Sequence, residues 1–67
     1  GVGSALLDAL KTEAARRGLS VLMLEVRASN IAAQTLYEKN GFERVGVRRG
    51  FYANPREDAF LYNWYLK

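Results

Sequence analysis

Val21-Leu22-Met23-Leu24-Glu25-Val26 runs through Arg27-Ala28-Ser29 into Asn30-Ile31-Ala32-Ala33-Gln34-Thr35-Leu36-Tyr37-Glu38-Lys39-Asn40-Gly41-Phe42. The first part is short, largely apolar at alternate positions of both parities, and bounded by Gly18 and Ser20 before it and by Ser29 and Asn30 after it. A run of this kind reads as a strand covered on both sides, as in a parallel sheet. Asn30 is a good helix N-cap, because its short side chain can accept from an otherwise unpaired backbone N–H of the first turn. A helix over Ile31 to Lys39 follows, with Ala32, Ala33, Leu36 and Tyr37 able to line one side. Asn40-Gly41 closes it as a left-handed cap.

Working outward, Leu6, Leu7, Leu10 and Ala14 recur at helical spacing, which predicts a helix from Ser4 to Arg17. Asp8, Thr12 and Arg16 take its opposite face, with Lys11 and Glu13 on the flanks. Arg16 and Arg17 set cations against the negative end of the helix dipole, and Gly18 stops it. Phe42 to Arg49 reads as a strand and Gly50 to Arg56, with the only proline, as a loop. Asp58 to Leu66 reads as a last strand, with Phe60, Tyr62, Trp64 and Leu66 on one face and Leu61, Asn63 and Tyr65 on the other. The predicted order is helix, strand, helix, strand, strand, without repeats, low-complexity tracts or linkers.

The chain has 67 residues, which allows one domain at most. It has no cysteine and no histidine, so an ordinary zinc site, a thiolate nucleophile and a Ser-His-Asp triad are excluded on this chain. Hydrophobic residues make up 49% and charged residues 25%, a globular balance. The net charge of +3 suits an anionic ligand and is too weak to argue for nucleic acid alone. No apolar run approaches the roughly 20 residues of a membrane helix, so no membrane partner is expected and the expected compartment is the cytoplasm.

Three places carry candidate chemistry. Gly1-Val2-Gly3-Ser4 opens a helix, where glycines allow close backbone approach and the first-turn N–H groups favour an anion such as pyrophosphate. A Gly-x-Gly before a helix is also a common plain turn, and the third glycine and the lysine of the nucleotide motifs are missing. Glu25 puts a carboxylate into an apolar strand. It serves either as a general base or as a glutamate paired with Arg27 on the same face, and the strand alone favours the pair. Tyr37 is either a core aromatic or a proton donor to a departing thiolate, and taken alone the core role is favoured. Arg48, Arg49 and Arg56 with Phe51 and Tyr52 form a basic, aromatic stretch that is a solvated rim or a grip for RNA.

Taken together, these pieces resemble the GNAT acyltransferase superfamily, and within it the RimI-like protein N-terminal acetyltransferases. The block Asn30 to Phe42 looks like the family's pattern of Asn, a small residue, Leu-Tyr and then Gly-Phe. Leu24 to Asn30, Arg48-Arg49 followed by an aromatic pair, and Arg56-Glu57-Asp58-Ala59 are similar to the RimI-like subgroup. The resemblance implies an α/β fold, the C-terminal part of a GNAT domain, whose mixed sheet has the last strand between the other two. The N-terminal half of the domain would precede residue 1.

The resemblance further implies that Gly1, Val2, Gly3 and Ser4 hold the pyrophosphate of acetyl-CoA and that Asn30 contacts this co-substrate. It makes Glu25 the general base and Tyr37 the general acid, and it places Tyr52 on the loop that binds the acceptor. No metal is implied. The implied reaction is direct attack of a peptide or protein N-terminal amine on the acetyl thioester, with a ribosomal protein among the acceptors. Nucleic acid is not the favoured partner. Alternatives from other classes are a small basic RNA-binding or protein-interaction module without catalysis, and an inert fragment. The isolated chain is expected to self-associate or to need the N-terminal half, and to have little activity alone.

Overall fold

The structure, a computed structural model, describes residues 2–66. Its elements are α1 (Val2–Arg16), β1 (Val21–Arg27), α2 (Ile31–Lys39), β2 (Glu43–Ala53) and β3 (Arg56–Tyr65). The three strands form one sheet in the order β1-β3-β2, so the last strand lies between the other two as expected. Both ladders are antiparallel.

Strand alternation divides the sheet into two unlike faces. Leu22, Leu24 and Val26 of β1 stand opposite Trp64, Tyr62 and Phe60 of β3. They meet Leu7 of α1, Phe42, and Ala33, Leu36 and Tyr37 of α2 in one core. Tyr62 is fully buried there, and its hydroxyl donates to Glu38 Oε2 at 2.8 Å. On the other face, Met23 is 72% exposed. The expectation that β1 is covered on both sides in a parallel sheet is therefore corrected for the described residues. Both helices contribute to the same core, and nothing among the described residues covers the face that carries Met23.

The second helix has the expected bounds, Ile31–Lys39. Asn30 caps it, accepting from Ala33 N at 3.1 Å, and Gly41 takes φ +88° just past its end. The first helix starts at Val2 rather than Ser4, with Gly3 inside its first turn. Its buried stripe also differs. Leu7 and Ala14 are buried, whereas Leu6 is 62% exposed. Gly3 and Lys11 complete this stripe at spacings of three and four residues. A Cβ on Gly3 would stand 2.7 Å from Leu36 Cδ2, so a larger residue there would have to displace the Leu36 side chain. Lys11 lays its stem along the core and brings its ammonium 4.7 Å from the Trp64 ring centroid. The same ammonium donates to the carbonyl of Asn40, the C-cap of α2, where a cation also suits the helix dipole.

The expected loop over Gly50 to Arg56 is a further correction. Strand pairing continues through Tyr52↔Glu57 and Ala53↔Arg56, which leaves Asn54-Pro55 as the turn. Glycine, proline and charge suggested a loop, but a long antiparallel hairpin satisfies the same backbone groups. Gly50, at φ +61°, lies in the irregular stretch where the register shifts, and its N–H donates to Asp58 Oδ1 at 2.8 Å. Phe42 precedes β2 instead of belonging to it, and drops its ring into the core.

Two outcomes follow from this packing. Gly3→Val should cost about 1–3 kcal/mol of unfolding free energy, the usual size of an overpacked contact. Combining it with Leu36→Ala should cost less than the sum of the two single changes, as a double-mutant cycle from denaturant melts would read. Burial, and then the hydrogen bond and charge of Glu38, hold the Tyr62 hydroxyl above the ordinary tyrosine value of 10.0. A raised folded-state value means that its stabilising share is complete below pH ~10 and is lost as pH rises through the folded value. Melting temperatures across the alkaline range should fall less steeply for Tyr62→Phe than for the unaltered protein.

Candidate active site

The bare face of the sheet holds Glu25, Arg48 and Tyr52. Glu25 stands opposite Leu61 in the β1–β3 ladder. A concavity of about 370 Å³ is lined by Met23, Leu24, Glu25, Val45, Arg48, Leu61 and Asn63. It is mostly apolar, with one carboxylate and one guanidinium at its polar rim. That combination suits a small group held by shape with one proton acceptor aimed at it.

Glu25 is not paired with Arg27, as the plain pairing reading expected. The long side chain of Arg48 reaches Glu25 from β2, across the intervening β3. Arg48 Nη1 comes within 3.7 Å of Glu25 Oε2, and the side chains are 58% and 42% exposed. An ion pair so open to water is worth about 0–1 kcal/mol. Its consequence is geometric: a cation stands beside the carboxylate. Ala59 lies between Arg27 of β1 and Arg48 of β2 in the ladder and is itself completely buried.

Arg27 instead donates to Glu57 Oε1 at 3.1 Å. Glu57 Oε2 accepts the backbone N–H of Ser29 at 2.7 Å. These hydrogen bonds, Ser29 first and Arg27 next, hold the Glu57 carboxyl below its ordinary value. The Arg27 guanidinium also lies 4.1 Å from the ring centroid of Tyr52. Sequence reasoning missed Glu57 and Arg48 as partners, because only strand register brings them to Arg27 and Glu25. It also missed Gln34, whose Nε2 donates to Ala28 O at 2.8 Å and ties α2 to the end of β1. That glutamine, four residues after an N-cap, was the one local signal.

Tyr37 lies on the helix-covered face, its ring centroid 5.8 Å from that of Phe42 and 5.7 Å from that of Tyr62. The core role that its helical position suggested is therefore real for the ring. Glu25 and Tyr37 thus stand on opposite faces of the sheet, and among the described residues one edge of β1 has no paired strand.

Among the four residues expected at the pyrophosphate, Gly1 and the side chain of Val2 lie outside the described residues. Gly3 turns the position of its missing side chain toward Leu36. Ser4 Oγ accepts from Asn40 Nδ2 at 3.2 Å. The backbone N–H groups of the first turn of α1 have no acceptor within the helix and suit an anion. Asn30 spends its side-chain oxygen on the helix cap, accepting from Ala33 N. Among the described residues, no group of three or more His, Cys, Asp or Glu is placed to hold a metal ion.

Two arginines of the hairpin and Arg27 of β1 lie over aromatic rings of the hairpin. Arg48 stands 4.9 Å from the Phe51 centroid, Arg44 stands 4.5 Å from that of Phe60, and Arg27 covers Tyr52. Rings already covered are poor stacking platforms for bases, which weighs against the RNA-binding alternative. No helix of the described residues is long and apolar enough to cross a membrane.

The chain is 49% identical over 63 residues to the [ribosomal protein bS18]-alanine N-acetyltransferase of Escherichia coli, covering 91% of this chain and 43% of that protein. The crystal structure of the ribosomal-protein-S18-alanine N-acetyltransferase from Escherichia coli superposes with a TM-score of 0.86 at 45% identity, covering 100% of this chain and 44% of that one. The NatC complex bound to Gag peptide and CoA gives a TM-score of 0.88 at 31% identity, over 96% of this chain and 40% of the matched chain. The chain thus spans less than half the length of the relatives it matches. The family model described as the acetyltransferase (GNAT) family matches residues 1–42. That match spans the strand, the capped helix and the Gly-Phe that ends it, and with it the chain belongs to the GNAT acetyltransferase family.

Proposed function

We propose that the protein carrying this chain transfers an acetyl group from acetyl-CoA to the N-terminal α-amine of a peptide or protein. The observation that carries the proposal is Glu25, a carboxylate at the rim of an apolar concavity and on a strand with a free edge. It sits in a chain nearly half identical to an N-terminal alanine acetyltransferase. Acetyl-CoA supplies an activated acyl group and a thiolate leaving group.

In this reading Glu25, directly or through one water, takes the proton of the attacking amine as the new C–N bond forms. Tyr37 gives its proton to the sulfur as the C–S bond breaks, and regains one from solvent. The amine's proton ends on Glu25 and is lost to solvent, so charge and protons balance over a turnover. An α-amine with a pKa near 8 is roughly a tenth neutral at pH 7, far more than a lysine near 10.4, so a single modest base suits it. The thioester would have to lie within reach of both Glu25 and Tyr37, which stand on opposite faces of the sheet. The first-turn N–H groups of α1 would hold the pyrophosphate, Asn30 would meet the co-substrate with its amide, and Tyr52 would face the acceptor. A ribosomal protein is the acceptor class that the bS18-specific relative suggests.

We also propose that this chain forms the C-terminal part of its domain. The bare sheet face with Met23, and the unpaired edge of β1, are surfaces that an N-terminal half would cover.

In the complete protein, Glu25→Gln should lower turnover by roughly 10²–10⁴, the usual size of general-base catalysis, and unchanged turnover around neutral pH would remove the base from the mechanism. Tyr37→Phe keeps the ring between Phe42 and Tyr62, so turnover should fall while acetyl-CoA affinity stays the same. A collapse of both, with a lower melting temperature, would make Tyr37 purely structural. The isolated chain of 67 residues should self-associate through its open edge in sedimentation equilibrium, and should show little transferase activity. A fully active, cooperative monomer would contradict this division of the domain.

A further inference from the structure

The bare sheet face carries a second set of contacts, separate from the Glu25 concavity. Arg27, the last residue of β1, makes two contacts at once: Nη1 to Glu57 Oε1 at 3.1 Å, and the guanidinium carbon over the Tyr52 ring, 4.1 Å from its centroid. Glu57 pairs with Tyr52 in the β2–β3 ladder and also accepts Ser29 N at 2.7 Å. Four residues from three segments therefore close on one another: the end of β1, the turn before α2, and the two strands of the hairpin near its tip. Below Glu57, Asp58 O accepts Ala28 N at 3.0 Å, so a main-chain bond extends the same seam.

The hairpin needs such a seam. Beyond Arg48 its ladder slips register, and Phe51 at 41% exposure has only its own strand and Tyr52 beside it. A two-stranded ribbon with one irregular rung is marginal in water on its own. Glu57 is 17% exposed and Arg27 38% exposed, which makes this ion pair less open to water than the Glu25–Arg48 pair. The carboxylate accepts from both a guanidinium and a backbone N–H, and charge-assisted bonds of this kind are the stronger ones.

We propose that Arg27 and Glu57 clamp the β2–β3 hairpin to the β1–α2 junction and so fix where Tyr52 stands, which makes both of them positioning residues for the acceptor and not for acetyl-CoA. The proposal rests on the transferase reading above and on the acceptor side that it gives to Tyr52. Arg27 lies two residues from Glu25 on the same face of β1, so the clamp also sets the span between the base and the acceptor loop. Charge alone does not reproduce it: a lysine at position 27 keeps the pair with Glu57 and loses the flat contact with Tyr52.

The test uses the complete protein with acetyl-CoA and a peptide acceptor, and compares Glu57→Gln, Arg27→Met, Arg27→Lys and the double variant Arg27→Met/Glu57→Gln. The acceptor KM should rise about tenfold in each of the first two, with KM for acetyl-CoA unchanged and kcat within about twofold. The double variant should be no worse than either single one, since both remove one device. Arg27→Lys should fall between the unaltered protein and Arg27→Met. Amide exchange at Ser29 should quicken in Glu57→Gln, which a change of melting temperature alone would not localise. An unchanged acceptor KM with faster exchange at Ser29 would leave the clamp purely structural and overturn the proposal. An equal rise in both KM values, or additive losses in the double variant, would overturn it as well. An unaltered protein that acetylates no amine would overturn the transferase reading and this one with it. A working enzyme with indifferent variants overturns the clamp alone.

Discussion

The insertion of β3 between β1 and β2 is the constraint on which the rest depends. A central strand must pair on both edges and bury both faces more deeply than its neighbours, and β3 does so with Tyr62 and Ala59, both at 0% exposure. Tyr62 anchors the helix-covered face: its ring takes Tyr37 edge-on, and its hydroxyl reaches Glu38 at the surface. Ala59 anchors the other face, where its small side chain leaves room for the arginines on either side. One strand thus provides the floor of the core and the floor of the site.

From that arrangement the chemistry of the bare face follows by alternation alone. Leu24 and Val26 enter the core, so Glu25 between them must stand on the opposite face. There it meets Leu61 across the ladder and the cation of Arg48 from the far strand. β1 and β2 are the outer strands of the three, and among the described residues one edge of each has no paired strand. The two helices meet in a comparably economical way. Gly3 admits Leu36, Ser4 takes the Asn40 amide, and Lys11 takes the Asn40 carbonyl, so three contacts fix the end of α2 against α1.

Much of this was legible in the residues, and the gaps have definite causes. The second helix was readable to its bounds because its signals are local: an asparagine cap, a helical apolar spacing, and a glycine that alone accepts a left-handed conformation cheaply. The faces of β3 were readable from strict alternation. The hairpin tip was not, because its glycine and charges are loop-like until the pairing strand is known. Lys11 was placed on a flank because a lysine in a core stripe has no local signature; its place depends on Trp64 and Asn40, far away in the chain. The same holds for the site. The carboxylate at Glu25 stood out against an apolar strand, whereas its neighbour Arg48 and the Arg27–Glu57 pair exist only through register across β3. Tyr37 is ambiguous in the sequence because a tyrosine at that helical position reads the same for a core ring as for a proton donor; the structure puts its ring against Phe42 and Tyr62.

The central claim is that this fold delivers an α-amine, not a side-chain amine, to the carboxylate of Glu25. The most direct measurement is fragment mass spectrometry of a peptide with a free N-terminal alanine and one internal lysine, after incubation with acetyl-CoA and the complete protein. The account predicts a single acetyl group, on the alanine nitrogen, and none when that nitrogen is blocked beforehand. Acetylation of the lysine at a comparable rate, or of neither amine, would contradict it.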